Sequence, residues 1–216
     1  MSIYDMSSIA VVWADDSLVV VDKPPGLPSV IGRAPGLQDC AHSRLQVGFS
    51  DAVVVHRLDM PTSGLLMFAR GLEMQRALSH AFATRRISKH YIAVVHGDVG
   101  MESGSIDLPL RADWPNRPRQ IVDTVTGKAA TTLWRRLESP SLPSTSRLEL
   151  MPVTGRSHQL RVHLQAIGHP ILGDGLYGPG QGAPSSAQRL HLHACRLDFE
   201  HPRTGMRIEL TSTAPF

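Results

Sequence analysis

The sequence predicts an α+β domain on a central, largely antiparallel mixed sheet flanked by helices and loops. Two observations carry this reading. Short β-rich runs outnumber stretches with helical periodicity, and they do not alternate with helices in the βαβ rhythm of a parallel sheet. With 216 residues, 42% of them hydrophobic, the chain can bury one sizeable core, and a single domain over 1–216 is expected.

Taken in order, 9–13 and 18–21 flank Ala14-Asp15-Asp16-Ser17 and predict a hairpin. Lys23-Pro24-Pro25-Gly26-Leu27-Pro28 forbids regular structure, because adjacent prolines lack N–H donors and glycine permits a tight turn. A short helix is expected over 37–46. The apolar runs 52–55 and 65–69 read as strands around a charged, turn-forming segment. Over 72–84 the apolar residues Met74, Ala77, Leu78, Ala81 and Phe82 recur at helical spacing. A strand is expected over 91–95. The stretch 97–128, with Trp114-Pro115-Asn116-Arg117-Pro118-Arg119 at its centre, reads as one long irregular connection, a kind that is usually functional or disordered. Strands follow at 131–137 and 147–151. Ser157 is placed as the cap of a helix through Ala166, closed by Gly168 and Pro170. The run 178–186 is a surface loop, and 190–194 and 206–210 are the last strands.

Composition narrows the function. Net charge is only +3, yet 19 of the 22 basic residues are arginine. Arginine forks phosphate and stacks on bases, although base composition of the genome gives the same bias. Cys40 and Cys195 are far apart and match no metal spacing, which points to a reduced, cytoplasmic protein. Residues 1–8 carry Asp5, no Lys or Arg and no apolar core, so no signal peptide is expected. No apolar run approaches the ~20 residues of a membrane span. Eleven histidines raise a metal reading, with His191, His193 and Asp174 as its candidates. Paired strand histidines are more often packed, and His158 and His163 lack helical ligand spacing, so no metal is assigned.

The chemistry concentrates in Val55-His56-Arg57-Leu58-Asp59-Met60-Pro61-Thr62-Ser63-Gly64. Taken alone, a carboxylate beside a guanidinium reads as a turn-capping ion pair. Three further segments accompany it: Asp22-Lys23-Pro24-Pro25-Gly26, Lys89-His90-Tyr91-Ile92-Ala93, and Thr154-Gly155-Arg156-Ser157-His158-Gln159-Leu160-Arg161-Val162-His163. In this order they resemble the motifs of the RluA family of pseudouridine synthases. Asp113–Gln120 and Thr126-Gly127-Lys128 resemble the short members of that family. Only 22 residues precede the lysine–proline loop, so no N-terminal S4-type RNA-binding domain is expected.

The resemblance implies a pseudouridine synthase fold and isomerisation of uridine, with no cofactor. It implies Asp59 as nucleophile, Arg161 as the cation that keeps Asp59 ionised, and Tyr91 as the ring against the target base. The base must leave its stack, and Arg57 would fill the gap. RNA contacts are assigned to Arg57, Lys89, Arg117, Arg119 and Arg156, with His56 and His158 beside them. The implied partners are structured RNAs, a tRNA anticodon stem-loop and a 23S rRNA stem-loop, with no obligate protein partner. A sibling synthase with another target, a silent RNA-binding module and a metal-dependent hydrolase are the alternatives.

Overall fold

An antiparallel hairpin opens the computed structural model, which describes residues 9–32, 38–137, 144–179 and 187–216. In chain order these form β1 (Ala10–Ala14), β2 (Leu18–Lys23), α1 (Ala41–Leu45), β3 (Ala52–Val54), β4 (Ser63–Arg70), α2 (Gly71–Ala83) and β5 (Ile87–His96). There follow β6 (Ser103–Asp107), β7 (Leu110–Ala112), β8 (Gln120–Val122), β9 (Thr131–Arg136), β10 (Thr145–Pro152), α3 (Gln159–Ala166), β11 (Leu192–Glu200) and β12 (Arg207–Thr211). They sort into two units. One gathers the described residues up to Ser88 with Ala194–Pro215; the other gathers Lys89–His193 with Phe216. The segments 1–8, 37 and 180–186, on which parts of the sequence reading fell, lie outside the described residues.

In the first unit the hairpin turn is fixed by Asp15, whose carboxylate accepts the backbone N–H of Ser17 at 2.7 Å and of Leu18 at 3.0 Å. β2 also pairs with β4, which in turn pairs with β3, all antiparallel. Leu18, Val20, Leu65 and Met67 are fully buried and pack with Met74 and Leu78 of α2. The helical spacing seen over 72–84 is thus the core-facing stripe of α2. β12 pairs with β11. Charged Arg196 and Asp198 hid most of β11 from the sequence reading. Asp198 instead accepts the Arg207 fork across the pair, at 3.0 and 2.7 Å.

In the second unit the strand order is β5-β10-β9-β6, again antiparallel. Ala93, Val95, Leu148, Leu150 and Trp134 form a core with Leu160 and Leu164 of α3. β7 and β8 make a separate two-stranded ribbon. Three strands therefore lie within 97–128, where an irregular connection was expected. β6 is polar, with only Ile106 buried, and β7 and β8 have three residues each, so no periodicity announces them. The proline-rich centre, 113–119, remains a loop between β7 and β8.

The start of α3 also differs from expectation. Ser157 does not cap it; His158 occupies that position with φ of 54°, in the left-handed region. On this helix Gln159, Arg161 and His163 are buried, while Gln165 and Ile167 are exposed.

Candidate active site

Asp59 stands on the loop between β3 and β4, and its neighbours are tied on both sides. The Ser29 hydroxyl donates to the Leu58 carbonyl at 2.7 Å and accepts the Leu58 N–H at 3.0 Å. The Met60 carbonyl accepts the Gly26 N–H at 2.9 Å and the Lys23 ammonium at 3.1 Å. Lys23 is fully buried and also donates to the carbonyls of Pro24 at 2.9 Å and Leu27 at 2.8 Å. The Asp59 carbonyl accepts the Thr62 N–H at 3.0 Å, which closes the turn. Asp59 is half-buried, while Arg57 is exposed. The lysine–proline segment, legible in sequence only as a loop, is thus the clamp on the Asp59 loop. Gly64 completes it. Its φ is +108°, and a Cβ there would overlap the Ala194 backbone.

His56 belongs to the same loop. Its Nε2 accepts the Met67 N–H at 2.9 Å, so Nε2 carries no proton, and its ring lies 4.5 Å from that of Phe82. That nitrogen anchors the loop to β4.

In the second unit Arg161 is 3% exposed and forks onto Asp174, at 2.8 Å from Nε and 2.7 Å from Nη2. Burial alone would raise the Asp174 carboxyl. The Arg161 fork and the N–H groups of Leu176 and Tyr177 outweigh burial and hold it below the usual range. Asp174, a candidate metal ligand in the sequence, is instead the partner of an arginine. Gly173 permits this placement: φ is +78°, and a Cβ would overlap the Arg189 backbone. Among the described residues no group of three metal-ligating side chains gathers.

Tyr177, which the sequence reading missed, joins several assigned residues. It is 2% exposed. Its hydroxyl accepts the Gln120 N–H at 2.8 Å and lies 2.7 Å from His158 Nδ1. The guanidinium of Arg161 stands 5.0 Å from the ring centroid, and that of Arg119 5.4 Å. The hydroxyl contact also steadies the left-handed backbone of His158. Only a tyrosine seven residues beyond a Gly-His-Pro turn could have signalled this hub, and nothing local in the sequence distinguishes it.

Within α3, Gln159 and His163 share a network through Thr132. Gln159 Oε1 accepts from the Thr154 hydroxyl at 2.7 Å and the Arg156 N–H at 3.0 Å. Its Nε2 donates to the Thr131 carbonyl and the Thr132 hydroxyl, both at 3.0 Å. His163 Nε2 donates to the Leu108 carbonyl at 2.9 Å, so Nδ1 accepts the Thr132 hydroxyl at 3.0 Å and the ring is neutral. Burial pushes the His163 pKa down. Arg156 is exposed, with Nε on the Ala129 carbonyl at 3.0 Å. A Cβ on Gly155 would lie 3.7 Å from Lys89 Nζ, so Lys89 reaches the Thr154–Arg156 loop, and burial lowers its pKa. Tyr91 lies opposite Leu150 on β5, half-buried against the core.

Residues 17–166 match the family model described as RNA pseudouridylate synthase. The chain belongs to the RluA family of RNA pseudouridine synthases. It is 47% identical over 206 residues to the dual-specificity RNA pseudouridine synthase RluA of Yersinia pestis, covering 95% of this chain and 99% of that protein. It is 43% identical to RluA of Escherichia coli K12, covering 96% and 94%. The solved structure of human RNA pseudouridylate synthase domain containing 1 matches with a TM-score of 0.81 and 27% identity, over 100% of this chain and 87% of that one. An RluA-family enzyme is an isomerase, and the fold is that of the family. The family model spans Asp59, Tyr91 and Arg161, whereas Asp174 and Tyr177 lie beyond it.

Proposed function

We propose that this synthase converts uridines in a tRNA anticodon stem-loop and a 23S rRNA stem-loop to pseudouridine, with Asp59 as nucleophile, in the cytoplasm. The observation that carries the assignment of Asp59 is the double anchoring of its loop, at Leu58 by Ser29 and at Met60 by Lys23 and Gly26. A reacting group must be held within a fraction of an ångström, and a carboxylate between two tied residues meets that demand. The names of the similar bacterial enzymes support the dual substrate.

The ionised carboxylate can attack C1′, displacing N1 of the base, or can take a proton from C2′ as the same bond breaks. The detached base turns and C5 bonds to C1′. Asp59 leaves in the first route and the C2′ proton returns in the second. Loss of the C5 proton and protonation of N1 restore the base, so the product is an isomer and no cofactor is consumed. We assign Arg161 to favouring the charged form of the nucleophile and Tyr91 to packing against the base. Arg57 fills the stack the base vacates; it is exposed and planar. Arg117, Arg119, Arg156 and Lys89 hold RNA. His56 and His158, each with a ring nitrogen on a protein partner, support the loops that carry those contacts.

The test is pseudouridine mapping of both stem-loops after incubation with wild type and Asp59→Asn. The variant is expected to lose turnover and keep fold and RNA binding. Turnover within about tenfold of wild type overturns Asp59 as nucleophile. Modification of other uridines only, in cellular RNA with and without the gene, replaces the substrate assignment with a sibling one.

A further inference from the structure

The loop joining β7 and β8 carries the most exposed aromatic ring of the described residues. Trp114 is 65% exposed, against 38% for Trp13 and 3% for Trp134. The loop beneath it is firmly closed. The Asp113 N–H donates to the Arg119 carbonyl at 2.9 Å, and the Arg119 N–H donates to the Asn116 carbonyl at 3.0 Å. The Asn116 N–H donates to the Asp113 carbonyl at 3.0 Å, and its side-chain amide donates to the Asp113 carboxylate at 2.9 Å. Pro115 and Pro118 restrict what remains. The indole is therefore presented to solvent on a support that has little entropy left to lose. Over its ring, 4.4 Å from the centroid, lies the guanidinium of Arg117.

A large apolar ring held in water serves neither core nor loop, and the chemistry around it selects a partner. An indole with a planar cation on it offers a π-face to stack on and a positive charge for the adjoining phosphate. Every base has such a face, but only an unpaired base exposes it. We infer that Trp114 is a stacking platform for an unpaired base of the substrate RNA, distinct from the target uridine, with Arg117 on the phosphate beside it. The inference rests on the synthase reading above and adds a recognition site to it. The platform reads the looped state of the RNA rather than its sequence, and so suits an enzyme that must accept two different stem-loops.

Binding measured by fluorescence anisotropy, with an anticodon stem-loop transcript and a fully paired duplex of equal length, tests this. Trp114→Ala should weaken stem-loop binding roughly 5- to 150-fold, the equivalent of about 1–3 kcal/mol for one base stack. It should leave duplex binding and the slope of affinity against salt unchanged. Trp114→Phe should recover most of the loss. Arg117→Ala should instead lower the salt slope by about one. In Trp13→Phe protein the remaining exposed indole is Trp114, and the stem-loop should quench its emission while the duplex does not. Wild-type stem-loop affinity in Trp114→Ala, equal losses on both RNAs, or no quenching overturns the platform. These readouts are of binding alone. Wild-type enzyme that forms no pseudouridine would defeat the synthase reading and leave the binding result standing on its own.

Discussion

A single buried lysine shows how much of the reactive loop is set by one side chain. Lys23 donates to three carbonyls, two in its own loop and one at Met60. The ammonium has three protons, and those three acceptors match them. Lys23→Met fits the aliphatic space but leaves buried carbonyls short of a donor, at about 1–3 kcal/mol for each that water cannot reach. The expected result is a urea midpoint well below wild type. Turnover should fall more than RNA affinity, because the Asp59 loop loses one of its ties while the RNA-contacting arginines keep theirs. An unchanged turnover in a destabilised Lys23→Met would show that Gly26 and Ser29 hold the loop by themselves. Tyr177 is the corresponding single residue of the second unit. Its hydroxyl and ring tie the β7–β8 ribbon, the entry to α3 and Arg161 to one another.

At the scale of an element, α3 buries Gln159, Arg161 and His163, and buried histidines give this unit a pH signature. Burial lowers the pKa of His163, and burial with the charges of Arg189 and Arg147 lowers that of His191. Both begin from an unfolded value of 6.5. Below that pH the unfolded chain takes up protons that the folded chain does not, so stability is fully present above about 6.5 and falls as the medium becomes more acid. Unfolding by urea at pH 8, 7, 6 and 5 should show a plateau and then a decline. His163→Gln keeps hydrogen-bonding capacity and removes the titration, so its decline over that window should be shallower. An identical slope would mean that His163 is not the group responsible. Asp174 acts in a different window. Its carboxyl is held below the ordinary 3.8, so its pair with Arg161 is intact above that value and weakens only in stronger acid.

For the whole molecule, the question is how a chain of net charge +3 holds a polyanion. Many arginines are neutralised by protein carboxylates: Arg44 by Asp39, Arg111 by Asp123, Arg207 by Asp198. The affinity must come from local exposed cations, and Arg57, Arg117 and Arg156 are exposed. Arg156→Ala should weaken every stem-loop alike and reduce the salt slope by about one. Arg57→Ala should leave the slope nearly unchanged and slow modification of a stacked uridine more than of an unstacked one, because less flipping is needed in the second case. Stopped-flow fluorescence with a reporter base beside the target measures this, and equal slowing of both substrates would remove Arg57 as the gap-filling residue.

What the sequence determined by itself is what depends on neighbours along the chain. The apolar stripe of α2, the fully apolar runs of β2 and β4, and the turn chemistry around Asp59 are local patterns, and each reads correctly from its own residues. The family motifs are local too, which is why the reaction was legible before the fold. The tertiary structure alone decided which polar groups meet. Lys23 and Met60 are 37 residues apart, Gln120 and Tyr177 57, and Leu108 and His163 55. Burial is set by periodicity, but the partner that makes a buried polar group affordable is set by where distant segments return. For the same reason the partners of the polar residues in α3 stayed hidden. Arg161, Gln159 and His163 are satisfied by Asp174, Thr132 and Leu108, which only the fold brings to them.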